Sequence, residues 1–241
     1  MEYVKFVFKS FSKNLNFSNS NARTHAILGT RLDAPLLADE EEILFACGCF
    51  WGAEKCFWKL PGIITTAVGY AGGNKSDPKY SQVCAGNTGH TEAVRITWNK
   101  SKIDLSDLLK MFWECHDPTQ GNRQGNDIGD QYRSAIYTNN TKQLEIANSS
   151  ASAYQKKLND KGYSAITTEI KSNQKFYYAE DYHQQYLAKP GNRPYCSAMP
   201  TNISLGDFPG ANYKLEEKVW SQFNWAEKHC VLRTTNLPIK Q

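Results

Sequence analysis

Residues 43–60 read ILFACGCFWGAEKCFWKL, and this stretch determines how the fold begins. Its first four residues, Ile43 to Ala46, form a short apolar run that is typical of a buried strand. Gly48 allows the chain to turn, and apolar side chains then recur at helical spacing at Phe50, Ala53, Phe57 and Trp58. A Leu-Pro-Gly sequence at residues 60–62 ends the helical pattern. The pattern therefore places Cys49 at the junction between a strand and a helix.

Strands and helices alternate along the rest of the chain. Four further segments are rich in β-branched or aromatic residues and are bounded by turn formers: Ile63 to Tyr70, His90 to Trp98, Gln131 to Thr138 and Ala165 to Ile170. Two amphipathic helices lie among them, the first capped by Asp104 and the second by Thr141. The pattern predicts an α+β fold, a two-layer α/β sandwich of ferredoxin-like type in which helices pack on a mixed sheet.

The composition divides the chain into three segments. Residues 1–38, polar and mildly basic, are predicted to be a flexible N-terminal extension or a transit segment, and residues 39–199 the domain that carries the chemistry. Residues 200–241 form a C-terminal extension for which we predict a docked helix. Its apolar face would hold Leu215, Val219, Phe223, Ala226 and Cys230.

The overall composition excludes several classes of protein. A net charge of +4, with basic residues scattered among acidic ones, argues against a nucleic-acid partner. No apolar run is long enough to cross a membrane. Seven cysteines at irregular spacing cannot all pair within one chain, which favours a reducing compartment. We expect a monomer in the cytoplasm, with mitochondria as the alternative because of the basic N-terminal segment.

Cys49 is the candidate nucleophile. Backbone N–H groups and the dipole at a helix start favour negative charge, so this position can stabilise a thiolate. The alternative is that Cys49 is a small core residue, as many free cysteines are. Cys47, Cys49 and Cys56 lack the paired spacing of a structural zinc site, so we expect no metal.

A series of motifs then resembles one family, the class A peptide-methionine sulfoxide reductases. The heptad at residues 48–54, GCFWGAE, matches the start of that family's catalytic helix. Further matches follow in family order: GYAGG (69–73), YSQVC (80–84), GHTEAV (89–94), QGNDIGDQYRSAIY (124–137) and AEDYHQQYL (179–187). The resemblance covers roughly residues 42–196 and leaves both ends of the chain outside it.

The resemblance implies roles for the catalytic groups. Cys49 corresponds to the thiolate that attacks the sulfoxide sulfur, and Glu92 to the acid that protonates the sulfoxide oxygen. Such an acid must still hold its proton near neutral pH, so we expect burial to raise the pKa of Glu92. Tyr80 and Tyr132 correspond to phenols that hydrogen-bond the oxygen, and Asp127 to a carboxylate that orients water. No cofactor is implied.

The family's substrate-binding and recycling residues also have counterparts. Phe50 and Trp51 resemble the aromatic walls that hold the S-methyl group. After the attack a sulfenic acid remains, which a second cysteine converts to a disulfide that thioredoxin or another dithiol reduces. Cys196 is the expected resolving residue, and Cys230 is the alternative as sole or second resolver. The sequence after Cys196 departs from the family, because it lacks the usual glycine-rich stretch and nearby second cysteine.

The implied activity is reduction of methionine-S-sulfoxide in peptides and proteins, a reaction of protein repair. Two other functions stay open from the sequence. A cysteine hydrolase would pair Cys49 with His90, His116 or His183. A binding module would recognise oxidised methionine without turning it over.

Overall fold

The computed structural model of the protein describes residues 23–240. Within them lie eight strands: β1 (Glu40–Cys47), β2 (Ile63–Ala71), β3 (Thr91–Asn99), β4 (Arg123–Gln124), β5 (Asp127–Ile128), β6 (Ser134–Thr138), β7 (Glu169–Ser172) and β8 (Phe176–Tyr178). The same residues form six α-helices: α1 (Phe50–Trp58), α2 (Tyr80–Cys84), α3 (Leu105–Glu114), α4 (Thr141–Asp160), α5 (Glu217–Trp220) and α6 (Cys230–Arg233). The prediction of an α+β fold is confirmed.

Six of the strands form one mixed sheet in the order β7-β6-β1-β3-β2-β8. All neighbouring pairs are antiparallel except β6 and β7, which are parallel. β4 and β5 form a separate two-stranded hairpin. β1 and β3 lie at the centre of the large sheet. The residues next to the ends of these two strands therefore belong to the most constrained part of the molecule.

The alternation of side chains along β1 explains where the helices pack. Ile43, Phe45 and Cys47 point into the main core, which also contains the buried faces of α1, α3 and α4. Leu44 and Ala46 point to the other face of the sheet and join a smaller apolar cluster there. The helices therefore cover one face of the sheet, and the apolar side of α1 is held directly against the strand that precedes it.

The helix caps agree with the prediction in one case and differ by one residue in the other. Asp104 accepts a hydrogen bond of 3.0 Å from the backbone N–H of Ser106 and caps α3, as predicted. The cap of α4 is Asn140, whose side chain accepts from the N–H of Gln143 at 2.9 Å, and Thr141 is the first helical residue. The prediction of Thr141 as cap was therefore wrong.

Two predicted strands have different bounds. The segment predicted from Gln131 to Thr138 begins with a short 3₁₀ helix over Asp130–Tyr132, and the strand starts at Ser134. The strand predicted at Ala165 to Ile170 lies later, at Glu169–Ser172. This strand is at the edge of the sheet and half-buried, so its sequence carries little of the apolar alternation by which strands are recognised.

The C-terminal segment docks on the body without forming the single helix we predicted. Two four-residue helices, α5 and α6, stand in its place. Leu215, Val219, Phe223 and Cys230 are buried as expected, whereas Ala226 is exposed. The end of the segment is held by side chains of α1, because the Trp58 Nε1–H donates to the carbonyl of Asn236 at 3.0 Å.

The described part of the N-terminal segment, residues 23–38, also contacts the body. Leu32 is buried, and the His25 ring lies 2.9 Å from the hydroxyl oxygen of Thr66 on β2. The predicted flexible extension thus differs from the structure over these residues, and residues 1–22 lie outside the described part. Among residues 23–240, no helix has both the length and the apolar character that a membrane crossing requires.

Candidate active site

The turn between β1 and α1 sets the position of Cys49. Gly48 has a φ of 86°, and a Cβ atom there would lie 2.6 Å from Cβ of Gln124, so only glycine fits. Cys49 follows as the N-cap residue of α1 and is 9% exposed. The predicted location at a strand–helix junction is confirmed, and the thiol lies beneath the surface.

Burial governs the acidity of this thiol. Desolvation raises the pKa of Cys49 well above its ordinary value, and the charge of Glu92 raises it further. The backbone N–H of Trp51, in the first turn of α1, acts in the opposite direction but does not offset burial. Burial therefore outweighs the thiolate stabilisation that was expected from the helix start.

Glu92 lies on the central strand β3, directly beside the start of α1. Its carboxylate oxygen Oε2 accepts a hydrogen bond of 2.9 Å from the backbone N–H of Phe50, and the residue is 2% exposed. Burial raises the pKa of Glu92 to about 8; the Phe50 N–H lowers it, and the charge of Asp127 raises it further. Glu92 is thus a carboxylic acid that holds its proton at neutral pH, the property expected of it from the sequence.

Two phenols lie close to this acid. Tyr80 is the first residue of α2, which is fixed in place because its backbone N–H donates to Oε1 of Glu180 at 2.9 Å. Tyr132 ends the 3₁₀ helix before β6. Burial is the main cause that raises the pKa of both hydroxyls; a hydrogen bond with Cys84 comes next for Tyr80, and the charge of Glu92 comes next for Tyr132. Both therefore carry O–H donors at neutral pH.

Asp127 is brought to the site by the hairpin of β4 and β5. Its Oδ1 accepts a hydrogen bond of 2.6 Å from the hydroxyl of Tyr195. Its other oxygen, Oδ2, is buried and has no hydrogen-bond partner among the described residues. A buried carboxylate oxygen without a partner is costly, so this atom is available to accept from a bound molecule.

An aromatic wall covers the start of α1. Phe50 is buried, with its ring centroid 5.1 Å from that of His183. Trp51 stacks on Tyr186 at 3.7 Å and 9°, and its Nε1–H donates to Nδ1 of His183 at 3.1 Å. The ring of Tyr195 meets Trp51 edge-on at 6.2 Å. These contacts hold Phe50 and Trp51 in fixed orientations.

Sequence reasoning gave no place in the site to Tyr186 and Tyr195, and considered His183 only as a hydrolase base. The motif at residues 179–187 contains two of these residues, and Tyr195 directly precedes Cys196. The signal was therefore present in the sequence. What could not be read from it was that this segment folds back over α1.

The two candidate resolving cysteines lie behind α1. Cys196 and Cys230 are each 6% exposed and line one cavity together with Cys56. Burial raises the pKa of both to about 12. Cys196 packs against Gly52, three residues after Cys49 in the chain.

The geometry gives no support to a hydrolase. No histidine ring is hydrogen-bonded to Cys49 in the part of the chain that the structure describes. His90 contacts the carbonyl of Lys75 at 2.7 Å, and His116 is 2.7 Å from the carbonyl of Phe112. His183 accepts from Trp51 through one ring nitrogen, and burial lowers its pKa to about 4.

A buried thiol next to a protonated carboxylic acid and two phenols is suited to take an oxygen atom from a substrate whose oxygen is polarised by hydrogen bonds. This chemistry is that of a thiol-dependent oxidoreductase. Comparison with known proteins gives the family. Residues 41–206 match the family model described as peptide methionine sulfoxide reductase, and the chain belongs to that family. Its members reduce methionine sulfoxide, and the chain is an enzyme of this kind.

Curated relatives agree across most of the chain. The peptide methionine sulfoxide reductase MsrA of Rhodospirillum centenum is 50% identical over 182 residues, which are 75% of this chain and 82% of the relative. The mitochondrial peptide methionine sulfoxide reductase of Homo sapiens is 51% identical over 183 residues, 76% of this chain and 77% of the relative.

Solved structures show the same fold. Methionine sulfoxide reductase A of Corynebacterium diphtheriae superposes with a TM-score of 0.68 at 42% identity, covering 77% of this chain and 90% of that one. The reduced form of Mxr1 from Saccharomyces cerevisiae gives a TM-score of 0.61 at 34% identity, with 68% and 92% covered.

Proposed function

We propose that this enzyme reduces methionine-S-sulfoxide, free or in proteins, through a sulfenic acid on Cys49 and an intramolecular disulfide that thioredoxin reduces. The observation that carries the proposal is the contact between Glu92 and the start of α1, where Cys49 lies. Phe50, the residue after Cys49, donates its backbone N–H to Glu92, so the positions of the nucleophile and the acid are fixed relative to each other. Reduction of oxidised methionine in proteins is a repair reaction that protects against oxidative damage.

The chemical step follows from this pair. The sulfur of Cys49 attacks the sulfoxide sulfur, and Glu92 delivers its proton to the sulfoxide oxygen. The proton that the Cys49 thiol gives up restores the acid form of Glu92. Methionine leaves, and Cys49 keeps the oxygen as a sulfenic acid. Because burial keeps Glu92 protonated at neutral pH, the charge of Glu92 does not oppose ionisation of Cys49 before the step.

The surrounding side chains hold the substrate. Phe50 and Trp51 enclose the S-methyl group. An apolar wall stabilises binding of this group, whereas a polar wall would contribute little. The hydroxyls of Tyr80 and Tyr132 donate to the sulfoxide oxygen, where negative charge is concentrated. Oδ2 of Asp127, which is buried without a partner, accepts from water or from a polar group of the substrate.

Recycling uses the thiols behind α1. Cys196 condenses with the sulfenic acid, releasing water and forming a Cys49–Cys196 disulfide. Cys230 is the second candidate, because it lines the same cavity. A dithiol such as thioredoxin then reduces the disulfide by exchange. No organic cofactor takes part in these steps.

One experiment tests the activity. The protein is incubated with dithiothreitol and, in separate reactions, with each sulfur epimer of a methionine sulfoxide peptide. The mass of the peptide is then measured by mass spectrometry. We expect loss of one oxygen from the S epimer over many turnovers. The Cys49→Ser variant keeps the shape of the site, but a hydroxyl is a much weaker nucleophile than a thiol and ionises far less readily, so the variant should be inactive. Turnover by Cys49→Ser, or multiple turnovers on the R epimer alone, would contradict the proposal.

We also infer a ferredoxin-like core. Four strands support it, because β6, β1, β3 and β2 lie side by side in that order and pair antiparallel throughout. α1 connects β1 to β2, and α3 lies between β3 and β6 in the chain.

For the setting, we propose a cytoplasmic monomer, with mitochondria as the alternative compartment. All seven cysteines are free in the structure, which suits a reducing environment. Sedimentation of the purified protein measures its mass in solution, and a mass of two chains would contradict the monomer.

A further inference from the structure

Five of the seven cysteines surround a single cavity behind α1. They come from strands, helices and irregular segments that are far apart in sequence: Cys47, Cys56, Cys115, Cys196 and Cys230. All five are buried. The proposed reaction uses Cys196 and, as the second candidate, Cys230, so the inner three have no role in it. We call Cys47, Cys56 and Cys115 the inner thiol cluster.

Two sulfur atoms of the inner thiol cluster, those of Cys47 and Cys115, lie within 4.8 Å of one another. Cys56 lines the same cavity, but its sulfur is not within that distance of both. A metal–thiolate bond is ~2.3 Å long, so one ion can join two sulfurs up to ~4.6 Å apart. Cys47 and Cys115 can thus share one metal ion, and Cys56 must move toward them to become a third ligand.

The donor set is limited to sulfur. His116 also lies within 4.8 Å of the sulfurs of Cys47 and Cys115. Its two ring nitrogens are already engaged, however, 2.7 Å from the carbonyl of Phe112 and 2.8 Å from the hydroxyl oxygen of Ser134. Thiolates without imidazole or carboxylate select soft ions, among which Cu(I) accepts two or three sulfur ligands.

Positive charge is available for the complex. A Cu(I) ion with two or three thiolates carries a net negative charge, which is costly in an apolar interior unless it is compensated. Lys55 directly precedes Cys56 on α1, Lys59 directly follows the helix, and they are only 4% and 2% exposed. Their ammonium groups are held in place by the carbonyls of Thr234 and Thr235.

We propose that Cys47 and Cys115 form a binding site for one Cu(I) ion, which Cys56 can join as a third ligand. On binding, the ligand thiols lose their protons to solvent and each forms one bond to the ion, with no change in oxidation state. The cavity that Cys196 and Cys230 also line gives the route inward. The proposal stands apart from the catalytic one, because it uses neither Cys49 nor Glu92.

The test is an anaerobic titration of the reduced full-length protein with Cu(I) buffered by a chromophoric chelator. We expect one Cu(I) per chain by native mass spectrometry, and X-ray absorption should show sulfur ligands alone at about 2.3 Å. Cys115→Ser and, separately, Cys47→Ala should each lower the affinity at least ~100-fold, since even outer-shell changes cost 10–100-fold in metal sites. Circular dichroism confirms that each variant is folded.

Two control variants make the outcome decisive. Cys84 is exposed and outside the cavity, so Cys84→Ser should bind Cu(I) as the unchanged protein does. Cys49→Ser removes the catalytic thiol and should also leave the affinity unchanged. The proposal is overturned if both cluster variants bind Cu(I) normally, if nitrogen or oxygen ligands appear, or if the affinity falls in Cys49→Ser.

Discussion

Gly52 lies directly beneath the sulfur of Cys196: a Cβ atom at Gly52 would come within 2.8 Å of Cys196 Sγ. Gly52 is one turn after Cys49 on α1, and residues three apart on a helix share one face. The missing side chain therefore creates the space in which the proposed resolving thiol sits beside the proposed nucleophile. Glycine has a cost inside a helix, and here that cost is offset by this close approach.

Replacing Gly52 by Ala tests this relationship through stability. Overpacking a core typically costs ~1–3 kcal/mol, while Gly→Ala inside a helix gains ~1 kcal/mol, so the single variant should be neutral to destabilised. In a Cys196→Ala background the nearest contact relaxes to 3.4 Å, to Cys196 Cβ. Gly52→Ala should be stabilising there. Urea unfolding of the four proteins measures the coupling, and an additive cycle would show that the two residues do not interact.

Glu92→Gln should slow the first turnover far more than it weakens substrate binding. An amide cannot deliver a proton as a carboxylic acid does, and proton delivery in a transition state contributes ~10²–10⁴-fold. Rapid-mixing measurements of methionine release in a single turnover give the rate, and its dependence on sulfoxide concentration gives the binding. The matched control is Glu145→Gln at an exposed position on α4. An unchanged rate in Glu92→Gln between pH 6 and 8 would remove Glu92 from the mechanism.

The pattern of apolar residues was sufficient to predict the centre of the fold but not its edges. From residue 43 onward β1 is fully buried, and α1 buries every residue except Trp51. The apolar run of the strand and the helical spacing that follows it are therefore both visible in residues 43–58. The edge strand β7 has the sequence EIKS and is half-buried, so the periodicity of apolar residues placed its start four residues too early. Between residues 215 and 230, helical spacing correctly indicated which positions are buried, but the chain reaches them by two short helices.

The proposed catalytic residues stand out in the sequence because they lie in long motifs, and a raised pKa was expected for Glu92, whereas the effect of burial on Cys49 was not expected. The helix start at Cys49 suggested a stabilised thiolate, but burial outweighs the N–H group of Trp51. Burial depends on what the rest of the chain places over the residue, which one helix does not show. The cluster of Cys47 and Cys115 is a similar case, because β1 and the end of α3 meet only in the folded protein.

The pH dependence of stability gives an independent measure of how strongly Glu92 is buried. Its pKa is about 8 in the folded protein and ~4.3 when unfolded, so the folded state binds the proton more tightly. The contribution of this proton to the free energy of unfolding is fully present below pH ~4.3 and falls as the pH rises toward 8. At ~1.4 kcal/mol per pH unit, the total loss is at most ~5 kcal/mol. Glu92→Gln has no such proton, so its stability relative to the unchanged protein should rise across this window. Parallel pH curves from urea unfolding would show that Glu92 is not desolvated.

The order of the thiols in recycling is tested by replacing Cys196 and Cys230 separately. A disulfide requires α-carbons within ~7 Å, so the resolving thiol must come close to Cys49. Cys196 lies over Gly52 and belongs to residues 192–208, which form neither helix nor strand and can rearrange locally. Cys230 begins α6, in a segment that α1 holds through Trp58, so its approach would require that segment to undock.

We therefore expect Cys196→Ser to lose both the Cys49 disulfide and thioredoxin-linked turnover while keeping turnover with dithiothreitol. Cys230→Ser should still form the Cys49–Cys196 disulfide after one equivalent of substrate. Peptide mass mapping without reducing agent identifies each bond, with Cys84→Ser as the control for an exposed thiol. If Cys196→Ser forms a normal Cys49 disulfide and is fully active with thioredoxin, another thiol resolves the sulfenic acid. A disulfide from Cys49 to Cys230 in that variant would identify it.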